Sequence, residues 1–242
     1  MLVIAHRGAS GEYPENSLLA CKKALEQGAH GIEIDVQYHQ DSGKFIVFHD
    51  YSLKRLTGKT GNINNYPLAT LLTTSIGHEQ YIITLEQVIA LIPSSIFLNI
   101  ELKVDADSQI QLVTIIHKLQ QLLIEAVTQQ QITWTQLYIS SFNHQLIQLG
   151  QQQLPHANFA ALITQSALDL AVSTEKMSLA GVNPDIKCLN QKLVSDIHQR
   201  GLSCWVFTID SVEDIKKCIS YNVDAIFTNF PRRTRELIES MG

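Results

Sequence analysis

The sequence is short of the features that mark several protein classes. Of 242 residues only 18 are Lys or Arg, against 23 Asp or Glu, and the formal charge is -5. Binding along a nucleic acid needs a clustered basic surface to neutralise phosphates, so no nucleic-acid partner is expected. No apolar stretch reaches the roughly 18 residues of a membrane span. The best run, 88–100, is interrupted by Pro93-Ser94-Ser95. No basic segment precedes the first apolar residues and no cleavage-type tail follows them, so a secretory signal is not expected. The four cysteines, Cys21, Cys188, Cys204 and Cys218, are scattered without Cys-x-x-Cys spacing. They read as reduced thiols acting as small apolar fillers, with no disulfide or structural zinc. These absences predict a cytoplasmic chain without stable membrane insertion.

What is present is a globular pattern. The chain is 45% hydrophobic and 17% charged, which excludes disorder. Short runs rich in Val, Ile and Phe predict strands at 2–5, 31–36, 45–48, 97–102, 137–140, 159–163, 181–182, 202–209 and 225–228. Amphipathic stretches predict helices at 17–27, 85–91, 109–126, 144–152, 192–200, 212–221 and 233–240. Pro14-Glu15-Asn16 reads as the cap of the first helix and Gly28 as its end.

Alternating strands and helices over this length fit either an open doubly wound sheet or a closed barrel. A dinucleotide-binding sheet opens with Gly-x-Gly-x-x-Gly after its first strand, whereas here that place is His6-Arg7-Gly8-Ala9-Ser10-Gly11. The expectation is therefore an α/β fold, an irregular (β/α)8 TIM barrel in one domain spanning 1–242, with a small insertion after the third strand at about 51–83. Two tensions accompany it. Nine strands compete for eight places, and 37–44 is too short for a crossover helix, so the second and third strands either lack one or form a hairpin. The insertion is rich in Gly, Asn, Thr and Tyr and is expected on the active-site side.

Catalytic groups of such barrels stand at the C-terminal ends of strands. Those ends carry His6 and Arg7, then Glu33 and Asp35, then His49 and Asp50, then Glu101 and Lys103. Residues two apart on a strand share a face, so each i, i+2 pair projects together. Three uncompensated carboxylates raise one another's pKa, and a hard divalent cation, Mg²⁺ or Ca²⁺, relieves this. Glu33, Asp35 and Glu101 are thus candidate metal ligands. Arg7 and Lys103 suit a phosphate, and His6 and His49 suit general acid–base work. Structural alternatives exist for each piece: a Glu101–Lys103 ion pair, or a turn begun at His49-Asp50. The site reading explains all four strand ends together.

These motifs resemble the glycerophosphodiester phosphodiesterase family: His6-Arg7-Gly8, Pro14-Glu15-Asn16-Ser17, Glu33-Ile34-Asp35-Val36, His49-Asp50 and Glu101-Leu102-Lys103. The likeness continues through Leu53-Lys54-Arg55-Leu56-Thr57-Gly58, Thr84-Leu85-Glu86 and Ser140-Ser141-Phe142, and ends at Thr228-Asn229-Phe230-Pro231. The resemblance implies a barrel like that of phosphoinositide phospholipase C. It implies cation-dependent hydrolysis of small-molecule glycerophosphodiesters to sn-glycerol 3-phosphate and an alcohol. Carried over by motif, Glu33, Asp35 and Glu101 hold the metal, His6 and His49 are the acid–base pair, and Arg7 and Lys103 contact phosphate. The insertion resembles the family's substrate-capping segment.

The chain departs from the family at two places. Phe207-Thr208-Ile209-Asp210 replaces the usual Trp-Thr-Val-Asn, and Asn229 stands where the family often has Asp. Phe142 and Phe207 are candidate pocket walls, with Trp205 on the same strand face as Phe207. Two other functions fit the pattern: a phospholipase-D-like enzyme for lysophospholipids, or a non-catalytic binder of phosphate ligands. A metal amidohydrolase would carry His-x-His on its first strand, where this chain has Gly8. The chain is expected to act as a monomer or homodimer.

Overall fold

The computed structural model describes residues 1–104, 109–165 and 177–241. In chain order it begins with β1 (Leu2–His6), α1 (Leu18–Glu26), β2 (Gly31–His39) and β3 (Lys44–Val47). An irregular stretch follows with α2 (Lys54–Thr57), α3 (Leu68–Leu72), β4 (Ser75–Gly77), β5 (Gln80–Tyr81) and β6 (Ile83–Thr84). Then come α4 (Leu85–Ile89), β7 (Phe97–Leu102), α5 (Gln109–Thr128), β8 (Leu137–Ser141), α6 (His144–Gln153) and β9 (Asn158–Ile163). The chain finishes with β10 (Gly181–Pro184), α7 (Gln191–Gln199), β11 (Ser203–Val206), α8 (Val212–Ser220), β12 (Ala225–Thr228) and α9 (Pro231–Met241).

Eight parallel strands close on themselves in the order β1, β2, β7, β8, β9, β10, β11, β12, and β12 pairs back with β1 from Leu2↔Ala225 to Ala5↔Thr228. This is the expected TIM barrel. The apolar runs are nearly continuous because both faces of each strand are buried, in different cores. The outward residues, among them Ile32, Ile34, Val36, Ile100 and Ile139, pack with the buried faces of the helices. The inward residues Ile4, Trp205, Phe227 and Tyr138 form a separate cluster. Tyr138 and Trp205 stack at 4.3 Å, and Phe97 and Phe227 each lie about 6 Å from Trp205. These rings plug the barrel and support whatever stands above them. Trp205 is therefore core, sealed beneath the mouth.

The third strand of the chain is not a barrel strand. Glycine at position 43, with φ of 68°, closes a tight turn in which its N–H donates to His39 O. β3 then runs back antiparallel to β2, from His39↔Lys44 to Val36↔Val47. The hairpin alternative thus holds, and the ninth strand needs no place in the barrel. Because β3 is antiparallel, its C-terminal end returns to the rim, and Phe48 N donates to Asp35 O. His49 reaches the mouth by that reversal, and the expected series of four successive barrel-strand ends is corrected to three barrel strands and one hairpin arm.

The segment that follows has its own apolar core of Ile46, Phe48, Leu53, Ile63, Leu71, Ile76 and Ile82, and rejoins the sheet where β6 pairs with β3. Its helices and strands have only two to five residues, too short for a periodic signal. Ser17, rather than the Pro14-Glu15-Asn16 triplet, caps α1, accepting from Ala20 N at 3.0 Å. The expected last-but-one strand, 202–209, shortens to β11, which leaves Phe207 on the loop beyond it. Among the described residues no helix is long and apolar enough to cross a membrane.

Candidate active site

Sheet register assembles the mouth. His6 lies beside Glu33, Glu33 beside Asn99, and Asp35 beside Glu101, all at inward positions of adjacent strands. One oxygen from each of Glu33, Asp35 and Glu101 lies within 4.8 Å of the others. Glu33 Oε1 and Asp35 Oδ1 are buried with no hydrogen-bond partner. Two orphaned carboxylate oxygens aimed into one cluster are costly unless a cation shares them. An all-oxygen donor set of this kind fits Mg²⁺ or Ca²⁺ rather than a softer metal.

Burial, reinforced by Asp35 and Glu101, pushes the Glu33 carboxyl well above its usual range. Burial and Asp35 raise Glu101 to about 7. Both expected phosphate contacts reach these acids. Lys103 Nζ lies 2.9 Å from Glu101 Oε1 and 3.8 Å from Asp35 Oδ1. Arg7 Nε lies 3.1 Å from Asp35 Oδ2, without the alignment of a hydrogen bond. The Glu101–Lys103 pair of the structural alternative therefore exists, but inside the cluster rather than instead of it. Burial opposes the charge on each base, yet Asp35 beside Arg7 and Glu101 beside Lys103 raise their pKa values on balance.

The two histidines are held differently. His6 Nδ1 is 2.8 Å from Asn229 Oδ1, and Asn229 Nδ2 donates to Asp210 Oδ2 at 2.6 Å. With its amide nitrogen committed, Asn229 offers only oxygen to His6. The network therefore assigns the proton to Nδ1 and a lone pair to Nε2. Burial, with Arg7 nearby, lowers the His6 pKa to about 4. His49 Nδ1 instead meets a carboxylate, Asp50 Oδ1, at 2.7 Å.

A cavity of about 260 Å³ joins these groups, lined by His6, Arg7, Glu33, His49, Asn99, Glu101, Lys103, Phe142, Asp185 and Phe207, among others. Phe142 and Phe207 meet edge to face at 6.0 Å on its wall. Asp35 is fully buried behind the lining. The structure brings all nine candidate residues to one end of the barrel.

Several residues of the site carry no strong local signal. Asn16, read as part of a cap, donates from Nδ2 to Asp35 Oδ2 at 2.9 Å and accepts from Asp35 N. Its φ of 56°, rare for a residue other than Gly, was not legible in the sequence. Asn99 donates to Ser140 Oγ and leaves its own Oδ1 unpaired beside the cavity. Glu15 and Arg55 form a pair 40 residues apart in sequence. Their positions within the family motifs were the only hint of it.

A closed parallel barrel with its ionisable side chains gathered at the C-terminal rim and an aromatic plug below defines the class of barrel enzymes. Residues 6–233 match the sequence model described as the Glycerophosphoryl diester phosphodiesterase family, and the chain belongs to that family. A glycerophosphodiester phosphodiesterase of Bacillus altitudinis is 33% identical over 99% of this chain and 98% of its own length. One of Caldanaerobacter subterraneus is 30% identical over 100% and 99%. Among solved structures, an Oleispira antarctica phosphodiesterase in complex with the product sn-glycerol-3-phosphate superposes with a TM-score of 0.88 at 28% identity, covering 99% of this chain and 97% of that one. The glycerophosphodiester phosphodiesterase of Thermotoga maritima shares the fold, with a TM-score of 0.78 at 24% identity and 98% of both chains covered.

Proposed function

We propose that this chain hydrolyses glycerophosphodiesters to sn-glycerol 3-phosphate and an alcohol, with Glu33, Asp35 and Glu101 holding one divalent cation and His6 and His49 moving the protons. The observation that carries the reading is the contrast between the two histidines across one cavity, His6 backed by a neutral amide and His49 by a carboxylate. When bound, a hard cation there supplies charge neutralisation for the phosphoryl oxygens. Arg7 and Lys103 orient the phosphate, and Phe142 and Phe207 wall the glycerol side.

His6, unprotonated at neutral pH, is the base: its Nε2 accepts the proton of the glycerol 2-hydroxyl as that oxygen attacks phosphorus. His49 is the acid: the Asp50 carboxylate, 2.7 Å from its Nδ1, holds the proton there and leaves Nε2 for the leaving alcohol. It gives its proton to the alcohol oxygen as the P–O bond breaks. Water then opens the cyclic phosphate with the two roles exchanged. The segment at 51–83 is the capping insertion, held to the rim of the site where Arg55 meets Asp50 and Glu15, and the oligomeric form is a monomer or homodimer.

A coupled assay for sn-glycerol 3-phosphate released from glycerophosphocholine, with EDTA and with added Mg²⁺ or Ca²⁺, tests the reading. Cation-dependent release is expected. Release untouched by EDTA removes the metal from the mechanism. No release by folded protein with any cation overturns the reaction. Turnover only of lysophospholipids, graded by acyl-chain length, transfers the site to that substrate class.

A further inference from the structure

The segment between β3 and α3 sends one charged side chain back toward the barrel. The Arg55 guanidinium of α2 lies between two carboxylates from separate parts of the chain. Its Nη1 and Nη2 donate to Glu15 Oε2 and Oε1 at 2.8 and 2.7 Å. Its Nε and Nη2 donate to Asp50 Oδ2 and Oδ1 at 2.6 and 3.0 Å. Both forks are bidentate, the geometry in which Arg fixes a carboxylate's plane as well as its position. Each carboxylate passes the restraint on. Asp50 Oδ1 faces His49 Nδ1 at 2.7 Å, and Glu15 Oε1 accepts from Arg7 Nη1 at 3.0 Å. A guanidinium outside the cavity lining is thus separated by a single carboxylate from a histidine and from an arginine inside it.

Stability alone is a weak reason for this arrangement. Arg55 is 48% exposed, and ion pairs so open to water contribute little to folding. Orientation is a stronger one. Asp50 lies just beyond the end of β3, in a segment without regular structure, and meets His49 through one oxygen. Unrestrained, the carboxylate turns to water, and the imidazole is then free to rotate and to exchange tautomers. The Arg55 fork removes that freedom, and the same interaction holds the Asp50 pKa down to about 2, so the carboxylate stays charged.

We propose that Arg55 is a positioning residue for the reaction: by clamping Asp50 it keeps the proton on His49 Nδ1 and points Nε2 at the oxygen of the departing alcohol. The inference rests on the reading of His49 as the acid. Protonation matters for a poor leaving group, an alkoxide, and hardly at all for an activated phenoxide. A residue that acts through the acid therefore shows itself in the dependence on leaving group, which a residue that merely ties the 51–83 segment to the barrel does not.

The test follows single turnovers with enzyme in excess: choline released from glycerophosphocholine, and p-nitrophenol released from the p-nitrophenyl ester of glycerol 3-phosphate. That release reports the first step, before the cyclic phosphate common to both esters is opened, and steady-state KM is measured beside it. The proteins are wild type, Arg55→Ala, Asp50→Asn, His49→Ala and the Arg55→Ala/His49→Ala pair. Expected for Arg55→Ala is a fall in this release rate of ~10-fold or more on the choline ester with KM little changed, and of less than about threefold on the nitrophenyl ester. In the His49→Ala background the Arg55 substitution should cost nothing further, since both act through one group. Equal losses on the two esters, or losses that multiply with those of His49→Ala, overturn the proposal and leave Arg55 a structural strap. Should Arg55→Ala fail to fold, the near-isosteric Asp50→Asn separates the same two outcomes, selective loss supporting the clamp and uniform loss refuting it. If His49→Ala is selective and Arg55→Ala is not, only the Arg55 proposal falls. If His49→Ala is itself unselective or fully active, or wild type cleaves neither ester, the underlying reading falls and the proposal with it.

Discussion

His6 and His49 show how much the second ring nitrogen decides. Each ring has its Nδ1 engaged, His6 by the Asn229 amide and His49 by the Asp50 carboxylate, which leaves Nε2 for proton transfer. The residue scale predicts that His6→Ala and His49→Ala fold normally by circular dichroism, since neither ring belongs to the apolar cores. Each should lose most of its turnover, in keeping with the ~10²–10⁴-fold expected of an acid–base group. More than about a tenth of wild-type kcat in either variant removes that residue from proton transfer. Identities of this kind were readable from the sequence, because a histidine, a carboxylate or an arginine placed after an apolar run is visible without a fold. Which atoms they touch was not. Asn16 reads as half of a helix cap yet brackets Asp35 from both sides, and Glu15 needs Arg55 to explain it.

At the scale of elements, the turn from β1 into α1 sets the position of Arg7. Arg7 and Gly8 both take left-handed backbone, with φ of 57° and 77°. A Cβ at Gly8 would stand 2.5 Å from Ala20 C and 2.8 Å from Ala20 Cβ and O, so the helix itself would have to move. Gly8→Ala should cost more than about 1 kcal/mol of stability in urea unfolding, combining the left-handed penalty with a clash against backbone. It should lower activity as well, because Arg7 N donates to Glu33 Oε2 from this turn. A stability and turnover equal to wild type would show that α1 shifts without consequence. Long elements such as α5 and the strands flanking it were legible from apolar periodicity. The short pieces between β3 and β6 were not, because two to five residues hold too few repeats of either period to stand out. The hairpin was open in the sequence, where 37–44 excluded a helix but chose no alternative.

At the scale of the whole molecule, the cluster at the mouth couples folding to pH and to cations. In the cation-free chain the folded Glu101 pKa of about 7 exceeds its ordinary 4.5, so the native state binds more protons than the unfolded chain between those values. This contribution is full below pH 4.5 and is lost as pH rises through 7. Glu33 acts in the same direction. His6, lowered from 6.5 to about 4, acts oppositely: its contribution is present above pH 6.5 and lost as pH falls toward 4. Above 6.5 only the carboxylate effect remains. The melting temperature of cation-free protein should therefore fall from about pH 6.5 to 8, while saturating Mg²⁺ or Ca²⁺ removes the fall, since binding to the native state alone stabilises it. A cation-induced shift in thermal melts that does not grow over that range would show that these carboxylates are not the ligands. The sequence by itself determined the longer strands and helices, that a barrel rather than a dinucleotide-binding sheet fits their alternation, and which side chains gather at the strand ends. Those properties arise from near neighbours and from the period of an apolar face. Only the tertiary structure decided that the third strand folds back outside the barrel, that Trp205 lies under the site rather than in it, and that Arg55 reaches Asp50 and Glu15 together. These depend on barrel closure, sheet register and contacts between residues far apart in the chain, which are settled by packing of the whole and leave no mark in any local window.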